Sequence, residues 1–218
     1  MLGRAGSSER GLSSGAGRVF AHLLSLLRPV LGAVIVMTIG GSVRDSALVL
    51  PLTLLACASD YLDGPLARRS GADTQVGRLL DGFCDVGFLV LALTGMARAH
   101  LWSGVVAALP PAALPGWQSL DLFPIWALAM SFGVYLVRIS VQRRRGQLPA
   151  RSSCGHRAGI ANYGLVLVGA AESWPTLALP HAFLQSCCVG VSLLNLAAIA
   201  ENLTLLFPRS AAGRTMRR

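Results

Sequence analysis

The chain has 218 residues, of which 53% are hydrophobic and 13% charged, with a formal net charge of +9. A soluble domain carries roughly twice that charged fraction, and the mean hydropathy is +0.58, so the composition excludes an ordinary water-soluble domain and points to a lipid bilayer. All 19 basic residues are arginine, and they alternate with apolar segments instead of forming an aromatic-interleaved patch, which argues against a nucleic-acid partner.

Residues 1–18, rich in Gly, Ser and Arg, read as a disordered basic tail, and 208–218 as a second basic tail. Between them, 19–207 reads as one membrane domain. Charge-free runs occupy 29–43, 46–59, 86–97, 99–120, 122–137, 158–171 and 173–200. A helix needs about 20 mostly apolar residues to cross the hydrocarbon, so charged residues must sit at the ends of several spans. The pattern predicts an all-α polytopic protein with six transmembrane helices near 19–41, 46–63, 78–98, 121–142, 157–173 and 180–207. The Arg28–Pro29 step is expected to split the first into a surface helix and a spanning helix. Pro110, Pro111 and Pro115 make a helix over 99–120 unfavourable, and that stretch reads as an external loop. The arginines cluster before span one, between spans two and three, between four and five, and after six. The positive-inside rule then places both termini and the stretch 59–85 on the cytoplasmic side. The five cysteines show no metal-ligand spacing and read as reduced packing residues.

Five of the ten acidic residues fall in one short window, "SDYLDGPLARRSGADTQVGRLLDGFCD" at 59–85. Asp60 and Asp63 are i and i+3 and share one helix face, as do Asp81 and Asp85 at i and i+4. Gly64 and Pro65 are expected to end span two, so a short turn brings the two carboxylate pairs to one spot at the membrane surface. Four converging carboxylates repel unless neutralised. The four carboxylates offer only oxygen ligands, so the fitting partner is a hard divalent cation, Mg2+ or Mn2+, and two ions could be held. Asp73 reads as a solvated loop residue. Ionisable groups at membrane depth are functional candidates by default.

The full spacing, Asp60-x2-Asp63-Gly64-x2-Ala67-Arg68-x8-Gly77-x3-Asp81-x3-Asp85, resembles the signature of the CDP-alcohol phosphatidyltransferase family, with every fixed position filled. "SLLRPVLGAVIV" at 25–36 is similar to that family's entry into its first span. The resemblance implies a membrane enzyme that transfers a phosphatidyl group from a CDP-linked lipid donor, such as CDP-diacylglycerol, to an alcohol and releases CMP. It implies that Asp60, Asp63 and Asp81 bind metal, and that Asp85 completes the metal site and acts as general base. It further implies that Gly64, Ala67, Arg68 and Gly77 line the pocket for the CDP moiety, and that the enzyme is a homodimer.

The acceptor is read from arginines. A phosphorylated alcohol, glycerol 3-phosphate first and inositol phosphate next, calls for guanidinium groups near the span ends. Arg28, Arg138 and Arg157 border spans and are the candidates. The Arg143–Arg145 run is better explained by topology and anionic headgroups, and His156 by a loop. A reading from another class is a small cation transporter that uses the aspartates as its site. Against it, the acids lie at helix ends, the Gly, Ala and Arg positions go unexplained, and polar residues deeper in spans four to six are sparse. A catalytically inactive relative would not need all four acids.

Overall fold

Six helices form over the six apolar segments. A computed structural model describes residues 8–39, 46–70, 75–99, 123–146 and 152–207, and among them every regular element is helical. They are α1 (Ser8–Thr38), α2 (Val49–Ser70), α3 (Gln75–Arg98), α4 (Phe123–Arg144), α5 (Ser153–Glu172) and α6 (His181–Leu206). The stretch 100–122, with the three prolines read as a loop, lies outside the described residues, as do 1–7 and 208–218.

Two helices are longer than the sequence reading had them. α1 runs without interruption through Pro29, and α2 continues past Gly64–Pro65 to Ser70. A proline removes one i→i−4 hydrogen bond, a loss that neighbouring helices in a membrane bundle offset. α4 does stop at a glycine, with Gly146 in the left-handed region at φ 68° and its N–H on the Arg143 carbonyl at 2.9 Å, as C-terminal caps favour.

The residue distribution is that of a protein in lipid. Large apolar side chains such as Met37, Trp126, Met130, Leu193 and Ile160 face outward, while Arg28, Asp63, Arg138, Asn162, Ser192, Asn195 and Asn202 are buried. α3 (over Leu79–Arg98), α4 and α6 are each long and apolar enough to cross a membrane, and α1 adds a shorter apolar stretch, His22–Thr38. α2 and α5 are less apolar because they carry Asp60, Asp63, Arg157 and Asn162. Together these features make the chain an integral membrane protein. All five cysteines are free.

The bundle divides into two groups of three. α1 packs on α2 and α3, while α6 packs on α4 and α5; α2–α5, α3–α4 and α3–α5 contacts join the groups. The apolar core runs through both, from Leu31, Ile35, Phe88, Leu93 and Met96 to Leu165, Val166, Leu184 and Val191. Small residues let α1 and α3 approach closely, as is common between helices in membranes. A Cβ at Gly32 would lie 3.1 Å from the Phe88 carbonyl oxygen and 3.2 Å from its Cα, and one at Gly95 would lie 3.1 Å from the Val36 Cα. Backbone atoms cannot step aside, so this contact fixes the register of α1, and with it the position of Arg28. Gly32→Val is therefore expected to destabilise the protein by about 1–3 kcal/mol. This lowers the melting temperature in detergent by about 5 °C. Gly133→Val is the control, because nothing lies within 4 Å of a Cβ there, and its melting temperature should stay close to that of the unaltered protein.

Candidate active site

Helical spacing puts Asp60 and Asp63 on one face of α2, and Asp81 and Asp85 on one face of α3. The fold turns these faces toward each other and inserts Arg28 from α1 between them. The Arg28 side chain is completely buried, and its guanidinium is paired with all four carboxylates: Nη1 with Asp60, at 2.7 Å, and with Asp85, and Nη2 with Asp63 and with Asp81. Each nitrogen thus bridges one carboxylate of α2 and one of α3. One guanidinium offsets one of four negative charges, so the cluster keeps a net charge of −3 if all four are ionised.

Beside this cluster, a cavity of about 850 Å³ opens at the seam between the two helix groups. Asp60 and Asp85 stand on its wall, and α4, α5 and α6 supply the opposite side with Arg138, Tyr163, Asn162, Asn195 and Asn202. Tyr163 Oη donates a 3.0 Å hydrogen bond to Asp85 Oδ1, and its ring stacks on Phe88 with centroids 5.7 Å apart. Asn162 and Asn195 exchange reciprocal amide hydrogen bonds of 3.2 Å. Arg138 is 1% exposed and lies over the Tyr135 ring, 5.7 Å from its centroid. Among the described residues, neither its Nε nor its Nη1 has a hydrogen-bond partner, and the Asn202 Oδ1 also lacks one.

Of the three arginines read as acceptor candidates, only Arg138 lines the cavity. Arg28 lies with the carboxylates instead, because the Gly32 contact sets α1 at that height. Arg157 is exposed and absent from the cavity wall, whereas the neighbouring His156, read as a loop residue, sits on α5 and lines it. The rotation of α5 about its own axis makes that choice. Gly64, Ala67 and Arg68 fall in the last two turns of α2, and Gly77 in the first turn of α3. The side chains of Ala67 and Arg68 lie outside the described residues.

Sequence reasoning missed Tyr163, which no motif marks. It also undercounted polar residues in the later spans, although Asn195 and Asn202, at i and i+7 in an otherwise apolar helix, carried a readable signal. Glu201 is a clasp between α6 and the start of α5. Its carboxylate accepts from the Ser152 hydroxyl at 2.6 Å, Ser153 N–H at 3.1 Å and Cys154 N–H at 2.8 Å. A carboxylate there satisfies N–H groups that a helix N-terminus leaves open and meets the positive end of the helix dipole. Since Ser152 and Gly155 line the cavity, the clasp also fixes its rim. Glu201→Gln is expected to cost about 1–2 kcal/mol, readable as a fall of a few degrees in melting temperature.

The four carboxylates fit a divalent cation by two observations. Every offered ligand is oxygen, as Mg2+ and Mn2+ require, and a cationic group of the protein already occupies the space between them. Among the described residues, no three acidic, histidine or cysteine side chains stand grouped as ligands of one ion.

The CDP-alcohol phosphatidyltransferase family model matches residues 18–206, and the chain belongs to that family. It is 30% identical over 148 residues to a probable phosphatidylglycerophosphate synthase of Mycobacterium tuberculosis, a match covering 65% of this chain and 62% of that protein. It is also 30% identical over 139 residues to a cardiolipin synthase (CMP-forming) of Streptomyces coelicolor, covering 62% of this chain and 56% of that protein. The chain thus spans less than two thirds of the length of these curated relatives. No solved structure matches it.

Proposed function

We propose that the protein transfers a phosphatidyl group from a CDP-linked lipid, such as CDP-diacylglycerol, to glycerol 3-phosphate, with release of CMP. The observation that carries the choice of acceptor is Arg138, which lines the cavity that also holds Asp85 and has two buried guanidinium nitrogens without a hydrogen-bond partner among the described residues. An arginine fork in that state suits a phosphate monoester, and the relatives named above act in the same reaction class.

In this reading Asp85 takes the proton of the acceptor hydroxyl. The hydroxyl oxygen bonds to the phosphorus that carries the diacylglycerol, and the bond from that phosphorus to the CMP oxygen breaks. Tyr163, bonded to Asp85 Oδ1, restrains the rotation of that carboxylate and leaves its second oxygen to act as the base. Arg138 holds the acceptor phosphate and thereby presents the hydroxyl, and such orientation accounts for much of the rate gain in transfer reactions. The apolar wall of Val86, Leu89 and Leu128 keeps bulk water from competing as acceptor. Asp60, Asp63, Asp81 and Asp85 would hold one or two Mg2+ or Mn2+ ions, whose charge neutralises the pyrophosphate and stabilises leaving CMP. Gly64, Ala67, Arg68 and Gly77 would border the CDP moiety. The site lies at the cytoplasmic end of the bundle in this reading, and the enzyme works as a homodimer.

The test is CMP release from CDP-diacylglycerol by purified protein in detergent with Mg2+ or Mn2+. Glycerol 3-phosphate, inositol phosphate, inositol and serine are offered in separate reactions. Metal-dependent release with glycerol 3-phosphate alone is expected. Release only with an unphosphorylated alcohol would overturn the acceptor assignment, and absence of both release and CDP binding would overturn the enzyme reading.

A further inference from the structure

We propose that Arg28 is the resident counterion of the four aspartates. In this role it is a positioning residue that holds them together without metal and gives up its place when a divalent cation enters. The inference rests on the reading of Asp60, Asp63, Asp81 and Asp85 as the metal centre.

The arrangement of the contacts leads to it. Nη1 pairs with Asp60 and Asp85, and Nη2 with Asp63 and Asp81, so the flat guanidinium laces α2 to α3 through all four side chains. Without a cation of some kind, four carboxylates this close repel and must splay or protonate. Arg28 thus keeps the site assembled before metal arrives. The guanidinium takes one oxygen of each carboxylate, but it is a wide, planar cation whose bulk and charge lie where an ion bridging the same four side chains would sit, so the two cations repel and displace each other.

The exchange must be made by the side chain. α1 cannot withdraw, because Gly32 and Gly95 lock its backbone against α3. The Arg28 side chain is held by its two terminal nitrogens, while its buried Nε has no hydrogen-bond partner. Rotation along the aliphatic stem therefore frees all four carboxylates at once and breaks no bond at Nε. Since metal and guanidinium compete for one set of carboxylates, part of the metal's binding energy goes into displacing the arginine.

The experiment is a Mn2+ titration of the full-length protein in detergent, followed by the electron paramagnetic resonance signal of free Mn2+, with melting temperatures in EDTA and in Mn2+. Arg28→Gln is expected to bind Mn2+ about tenfold more tightly than the unaltered protein. It should melt lower in EDTA and show the larger rise on adding Mn2+. Equal or weaker Mn2+ binding by Arg28→Gln overturns the proposal, since it would mean that Arg28 does not compete with metal. If Arg28→Gln cannot be recovered even in Mn2+, Arg28→Lys decides. Its single ammonium cannot bridge four carboxylates, so tighter Mn2+ binding than in the unaltered protein supports the exchange, and equal or weaker binding overturns it. Absence of Mn2+ binding in unaltered and variant proteins alike would overturn the metal-centre reading itself. Binding of equal strength in both would overturn the exchange alone.

Discussion

Asp85→Asn should lower kcat for CMP release by about 10³-fold, within the 10²–10⁴-fold range of a well-placed general base, and leave a folded protein. The substitution keeps the shape of the side chain. Its amide oxygen can still accept from Tyr163 Oη, which lies 3.0 Å from Asp85 Oδ1, so the wall of the cavity is preserved. In the proposed mechanism it removes the group that takes the proton of the acceptor hydroxyl, together with one negative charge of four. The rate should therefore collapse while the KM for CDP-diacylglycerol changes by only a few-fold. The measurement is initial-rate CMP release at saturating glycerol 3-phosphate, with a melting curve on the same preparation. Retention of more than a tenth of the original kcat would show that the proton goes elsewhere.

How much of this was readable from sequence depends on which distances set each feature. Asp60 with Asp63, and Asp81 with Asp85, are neighbours by helical periodicity alone, so their convergence needed only two helices joined by a short turn. The all-α membrane class followed in the same way from composition and segment length. Arg28, Arg138 and Arg157 looked equivalent, each an arginine at the border of an apolar run. Their fates differ because of packing that no local pattern encodes. Two glycines set the height of α1, which puts Arg28 among the carboxylates. The rotation of α4 turns Arg138 into the cavity, and that of α5 points Arg157 outward while His156 faces in. Tyr163 was illegible for a related reason, since its partner is 78 positions away in the chain. The helix boundaries at Pro29 and Pro65 were misjudged because proline rules calibrated on exposed helices overstate the penalty where neighbouring helices compensate.

Arg28 and Arg138 are both buried arginines, yet substitution should destabilise the protein only at Arg28. Arg28 is paired with four carboxylates, and losing it leaves their mutual repulsion, and the buried charge of Asp63, without a counterion, which is costly. Arg138 has no hydrogen-bond partner at Nε or Nη1 and rests on Tyr135 by a cation–π contact alone. A buried charge in that condition is a burden on the fold, which the proposed acceptor phosphate would relieve. Arg138→Met is therefore expected to melt at the same temperature as the unaltered protein, or higher. Its KM for glycerol 3-phosphate should rise by about 10²-fold. Two hydrogen bonds to a charged phosphate, at about 1.5 kcal/mol each, correspond to a factor of that size. The KM for CDP-diacylglycerol should stay within a few-fold, because the donor's phosphates are assigned to the carboxylate side of the cavity. Arg157→Met, at an exposed position off the cavity wall, should leave every constant nearly unchanged. Gain of stability with loss of acceptor affinity is the combination that a ligand-binding arginine produces and a structural one cannot. An unchanged KM in Arg138→Met, with a raised KM on substitution in Arg143–Arg145, would move the acceptor phosphate out of the cavity to the end of α4.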